Sequence, residues 1–122
     1  MKNEDFKYDF EKLIVYQKSL DFIHKIFGIF KQLPQDFKYS VGSNFIRAGM
    51  SIANNLAEGS GKKSIKEKGR YYSTSLDSTR ECISVLNILI REKLISKEIY
   101  SVMRRESKEI TNMLTGLLES LK

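Results

Sequence analysis

The feature that most constrains this chain is a three-four spacing of apolar residues in four separate blocks. Leu13, Tyr16, Leu20, Ile23, Phe27 and Phe30 form the first, and Phe45, Gly49, Ile52 and Leu56 the second. Tyr72, Leu76, Thr79, Ile83, Leu86 and Ile90 form the third, and Ile99, Met103, Ile110, Met113, Leu117 and Leu121 the last. Such spacing puts apolar side chains on one face of an α-helix, and no block alternates strictly for long enough to make a core strand. Pro34, the only proline, closes the first block. Gly59 and Gly61 close the second, where glycine is expected to take the left-handed cap conformation. Ser64 followed by Glu67 has the form of a capping box, in which hydroxyl and carboxylate each take a free amide, so a helix is expected from about Ile65. Ser96, with Glu98 in the first turn, marks the start of the last helix. Short breaks make neighbouring helices antiparallel. The expected architecture is all-α, an antiparallel up-and-down four-helix bundle forming one domain over residues 10–122. Residues 1–9 precede it as an arm, with Phe6, Tyr8 and then Phe10 alternating with charged residues, expected to be disordered alone or to pack on a neighbour.

A chain of 122 residues suffices for one domain and buries roughly two thirds of its unfolded surface, so its core needs neither a metal nor a disulfide. Its one cysteine, Cys82, excludes an internal disulfide and fits a reducing, cytoplasmic setting. The opening MKNEDFKYDFEK mixes acids and bases where an export signal needs an apolar run. The uncharged stretch Ala48 to Ala57 falls well short of the roughly 18 apolar residues of a membrane span. A protein free of the membrane is expected.

The first helix is unusually apolar. Beside the stripe already named, Val15, Phe22, Ile26 and Ile29 make a second, and together the two cover about 200° of the helix, against the roughly 100° or slightly wider stripe that a surface helix usually buries. Either the helix is sunk deep in its own bundle or the second stripe meets another subunit. The expectation adopted is a homo-oligomer with Val15, Phe22, Ile26 and Ile29 at the interface.

Catalytic chemistry finds little to work with. A hydrolytic or proton-transfer site needs a nucleophile, a base and an orienting group within reach of one another. The single histidine, His24, lies on the polar side of the first helix, and Cys82 sits beside Ile83 and Leu86, where a free thiol behaves as a small hydrophobe. One Cys and one His give no metal-ligand spacing. No catalytic residue, metal site or cofactor is expected, and the chain is read as nonenzymatic. Gly59-Ser60-Gly61-Lys62-Lys63-Ser64 looks like a nucleotide phosphate loop but departs from one: Leu56 stands where the first glycine belongs, Lys63 follows Lys62, and a helix, not a strand, precedes it. Flexible glycines, lysines and a helix N-terminus remain, a combination suited to holding a phosphate group.

Charge mapped along the chain points to the same place. Residues 37–70 carry 7 basic residues against 2 acidic ones, an excess of 5 out of the whole chain's +6. Clustered positive charge favours a polyanionic partner because adjacent potentials sum. Lys62, Lys63, Lys66 and Arg70 are the expected phosphate contacts, with Arg47 a weaker candidate. Asn54, Asn55 and Glu58, late in an otherwise apolar helix, are expected to be structural groups at a subunit junction. Glu58 is also placed to pair with Lys62 at i, i+4.

The run Ser51-Ile52-Ala53-Asn54-Asn55-Leu56-Ala57-Glu58-Gly59-Ser60-Gly61, followed by Lys62, Lys63, Ser64 and Glu67, resembles the SI-x-x-NIAEG-x-x-R-x-S motif of the four-helix-bundle proteins encoded by 23S rRNA intervening sequences. Asn55, Glu58, Gly59, Ser64 and Glu67 are its structural positions here. Ser78-Thr79-Arg80-Glu81 is similar to that family's later GS-x-x-E element, and the opening Phe10 to Lys18 and the Leu33-Pro34 break fall where the family places theirs. The likeness spans about residues 10–118. It implies an antiparallel four-helix bundle assembled as a homopentamer around a central channel. It also implies a likeness to the accessory proteins of diversity-generating retroelements, basic pentamers that bind nucleic acid and a reverse transcriptase. Three positions depart from the pattern: Lys62 replaces an Arg, Lys68 stands where an aromatic is usual, and Asp77 replaces the Gly before Ser78. A lysine in place of arginine weakens any inference to planar, bidentate phosphate recognition.

Residues and resemblance together lead to the expectation of an oligomeric nucleic-acid-binding bundle, with RNA as the favoured ligand. The alternative is an oligomeric scaffold that binds a protein partner such as a reverse transcriptase. No aromatic RNA-recognition motif or helix-turn-helix reader signature is present, so base-specific readout is not expected.

Overall fold

The computed structural model describes residues 7–122. Its long helices are α1 (Ile14–Gln32), α2 (Ser43–Ser60), α3 (Ile65–Arg91) and α4 (Lys97–Glu119). Each packs on its chain neighbours and α4 returns against α1, which gives the expected up-and-down four-helix bundle, with no strand among the described residues. Of the N-terminal arm, residues 1–6, Phe6 included, lie outside the described residues. Tyr8 stacks on Phe10, and Phe10 meets Tyr16 edge-on at 5.0 Å, so this part of the arm packs on its own α1.

Helix ends follow local chemistry. Leu33, next to Pro34, is extended (φ −69°, ψ 144°), because a proline ring crowds the residue before it out of the helical region. From Gln35 the chain turns helical again, through Gln35–Phe37 and a π-helical turn at Lys38–Gly42, with a kink at Tyr39, before α2 proper. Ser64 Oγ accepts from the Glu67 amide at 3.0 Å and Ser96 Oγ from the Ile99 amide at 3.1 Å, starting α3 and α4 where expected. Only half of the Ser64 box forms, since the Glu67 carboxylate pairs with Arg70 instead, at 3.3 Å. At the end of α3, Lys93 adopts φ 59°, its amide donates to the Ile90 carbonyl and the Leu94 amide donates to the Leu89 carbonyl. That is a Schellman closure made without glycine.

Gly59 departs from its expected role. No glycine has a positive φ among the described residues, and Gly59 lies buried inside α2. A Cβ there would stand 2.8 Å from Tyr71 Cβ and 2.8 Å from Tyr72 Cε1. Its hydrogen is what lets α3 come against α2. Polar bonds line the same seam: Ser51 Oγ and Ser78 Oγ lie 2.7 Å apart, and Ser75 Oγ donates to the Ile52 carbonyl at 2.8 Å.

The assignment of the second α1 stripe to a subunit interface is corrected. Phe22 and Ile26 have no exposed surface, and Val15 and Ile29 are buried with them in the protomer's own core beside Phe45, Ile52, Leu86 and Met103. The helix is sunk in its bundle through this stripe. Of its large apolar side chains, α1 leaves Ile14 63%, Leu20 46% and Phe27 39% exposed, the last two from the other stripe. The seam between α1 and α4 is the thinnest in the ring. The exposed pairs Lys18–Glu109 and Lys25–Glu106 bridge it, and past them lies a groove of about 750 Å³ walled by Gly28, Ile29, Ile95, Ile99 and Met103.

Two outcomes test this packing. Gly59→Ala should destabilise the fold by about 1–3 kcal/mol through overpacking. Gly116→Ala, where an added Cβ meets nothing within 4 Å, should stabilise it by about 0.5–1 kcal/mol; urea midpoints separate the two. Replacing Phe22 and Ile26 together by Glu should abolish the helical circular dichroism signal, because it places unpaired charges in the core. The same change at Leu20 and Phe27 should leave the signal intact.

Candidate nucleic-acid interface

The corner joining α2 to α3 carries most of the expected contact residues. Lys63, Lys66 and Arg70 are exposed and Lys62 is half-buried. Lys62 and Arg70 are placed by Tyr71, which the close approach at Gly59 seats against the end of α2. Lys62 Nζ lies 5.1 Å from the centre of the Tyr71 ring and the Arg70 guanidinium carbon 5.1 Å from it. Two cations thus share one aromatic ring, each attracted to the π-electrons. The expected Glu58–Lys62 ion pair does not form, because Lys62 turns to Tyr71. Lys68, where the family pattern favours an aromatic, donates from Nζ to the Ser60 carbonyl at 2.9 Å and closes the end of α2.

Arg47 is not part of this corner. It stands on α2, 13 residues before the last helical residue, Ser60, about 20 Å along the axis, and lines a shallow cleft with Phe30, Met50 and Asn54. Its guanidinium takes Asn44 Oδ1 at 3.1 Å. Asn55 belongs to the α2–α3 seam of its own chain: its side-chain nitrogen donates to the Ser51 carbonyl at 2.8 Å and to Ser51 Oγ at 3.0 Å. Asn54 and Glu58 point outward. Sequence reasoning missed Tyr71, whose position beside Arg70 and nine residues after Lys62 was the available signal.

His24 is exposed on α1 at the α1–α4 groove. Cys82 is fully buried, and burial, with the neighbouring Glu81 charge adding, pushes its thiol up to about 12. Among the described residues no three His, Cys, Asp or Glu side chains come together as a metal site, and no helix is long and apolar enough to cross a membrane.

These features define an all-α protein built as a four-helix bundle. The model of the 23S rRNA-intervening sequence protein family matches residues 11–116, and the chain belongs to that family. A crystal structure of a protein with unknown function from the S23 ribosomal protein family of Bacteroides thetaiotaomicron VPI-5482 is similar to it. The TM-score is 0.81 at 26% identity, over 86% of this chain and 98% of that one. No curated protein matches the chain.

The state of Cys82 yields a direct test. A thiol with its ionisation pushed to about 12 holds a negligible thiolate fraction at pH 8, and the thiolate is the reacting form. Ellman's reagent at pH 8 should leave the native protein unmodified for as long as it stays folded, and should titrate one thiol per chain in urea.

Proposed function

We propose that this protein is a nonenzymatic, cytoplasmic binder of nucleic acid, RNA in the first instance, that works as a homo-oligomer and grips phosphates through the α2–α3 corner. The observation that carries this reading is the corner itself. Lys63 and Lys66 project from it with no carboxylate within 4.0 Å among the described residues, while Lys62 and Arg70 are held by Tyr71. Contacts of this kind recognise the backbone and are indifferent to base sequence. Arg47, remote from the corner, drops out of the contact set. Self-association is supported by exposed apolar side chains, Leu20 and Phe27 of α1 and Met50 of α2, each at least a third exposed. Five subunits rest on the family resemblance alone. The adaptor reading, with a reverse transcriptase as partner, rests on the likeness to retroelement accessory proteins.

The four corner contacts per subunit by themselves should contribute a log–log salt slope of about −3 for single strands and about −3.6 for duplex DNA, any further contact steepening it. Lys63→Glu with Arg70→Glu should weaken all sequences alike and flatten the slope without changing the mass measured by light scattering. Negligible binding of RNA and DNA at about 0.15 M salt would favour the adaptor. A particle of one chain mass at micromolar concentration would remove the oligomer, and turnover that follows the protein peak would remove the nonenzymatic reading.

A further inference from the structure

Charges that balance along the sequence are sorted by the fold onto different sides of its helices. Residues 71–95 balance 3 basic against 3 acidic residues, and residues 96–122 hold 5 against 4. The helices then sort them. On α4, Glu106 and Glu109 face α1, where Lys25 and Lys18 pair with them. The opposite side of α4 faces out beside α3, and the contact there fixes which residues share the surface. Tyr100 hydroxyl donates to Asn87 Oδ1 at 2.6 Å, Arg104 Nη1 donates to the Tyr100 hydroxyl oxygen at 2.6 Å, and the Arg104 guanidinium lies over the Tyr100 ring. Helical spacing then sets Lys97 (i−7) and Lys108 (i+4) in line with Arg104, and Arg80 (i−7) and Arg91 (i+4) in line with Asn87. All of these cations are exposed, and none has a carboxylate within 4.0 Å among the described residues. Among the described residues, Asp77, one turn from Arg80, and Glu81, next to it in sequence, make no ion pair with it.

We propose that this α3–α4 face, centred on the Arg104–Tyr100–Asn87 cluster, is a second contact surface for the phosphodiester backbone of nucleic acid. The proposal rests on the nucleic-acid reading above and adds a surface to it. Arg104 is the anchor. Stacked and hydrogen-bonded, its guanidinium is held in place before a ligand arrives, so little side-chain freedom is lost when it takes a phosphate. From Lys97 to Lys108 the helix rises about 16 Å, the length of about five nucleotide steps at 3.4 Å each. Arg80 and Arg91 flank that line on the neighbouring helix. Such a row tracks a backbone and carries no base readout.

The test uses the full chain and a fluorescein-labelled poly(U) about 30 nucleotides long, with a mixed-sequence DNA duplex of similar length, followed by anisotropy over a salt series. Arg80→Glu with Lys108→Glu, neither of which makes a hydrogen bond or ion pair in the fold, should weaken both ligands about tenfold or more at about 0.1 M salt. It should also flatten the log–log salt slope by about 2. The neutral pair Arg80→Gln with Lys108→Gln should lose about half as much, and it replaces the reversal if that lowers the Tm. Arg80→Lys with Lys108→Arg should bind as wild type. Tyr100→Phe, which keeps every charge and frees Arg104, should weaken binding several-fold with an unchanged slope. If the reversed and neutral pairs bind as wild type while the Lys63→Glu, Arg70→Glu variant loses affinity, the second surface is refuted and the nucleic-acid reading survives. If wild-type protein binds neither ligand at about 0.05 M salt, both are refuted.

Discussion

The close approach of α2 to α3 is the contact on which the rest of the molecule depends. It needs a missing side chain at Gly59, because the space that a Cβ would fill is taken by Tyr71 and Tyr72. Once the backbones are that near, small polar side chains bridge them: Ser51 reaches Ser78, and Ser75 reaches the Ile52 carbonyl. Buried hydroxyls that find partners add about 1 kcal/mol each and fix the register of one helix on the other. Register in turn sets the corner. Tyr71 sits where Lys62 and Arg70 both reach its ring only because α3 starts against the end of α2.

Where sequence and structure part company, the reason is usually that a residue type serves two purposes. Glycine near a helix end reads as a left-handed cap, but it is equally the residue that lets a neighbour close in, and Gly59 does the second. Both stripes of α1 are apolar, so periodicity could not tell which one the bundle buries. The core takes Phe22 and Ile26, and it leaves Leu20 and Phe27 at the surface. Start signals were more secure, since Ser64 and Ser96 each need one local amide and nothing from the rest of the fold. The turn at Lys93 carried no signal at all: a lysine is held at positive φ by the two bonds of the closure around it.

Charge was legible only where it is dense in sequence. The lysines between α2 and α3 follow one another and so announce themselves, whereas Arg104 meets Asn87 and Tyr100 only through the packing of α4 on α3. The acidic neighbours of Arg104 in sequence, Glu106 and Glu109, are drawn to the far side of α4 by Lys25 and Lys18. An even tally along α4 therefore becomes a helix with two electrically different sides.

The thin seam between α1 and α4 makes the bundle mechanically uneven. Three helices form a continuous packed slab, and α1 lies on it like a cover fastened along α2. Its free edge is held by ion pairs, each contributing at most about 1 kcal/mol and weakened by salt, and beyond them a groove runs between α1 and α4. Thermal breathing concentrates at such an edge, where opening exposes the fewest apolar contacts. Amide exchange along the α4-facing side of α1 then proceeds by partial opening, and ionic strength sets how often that edge lifts while the slab beneath stays closed.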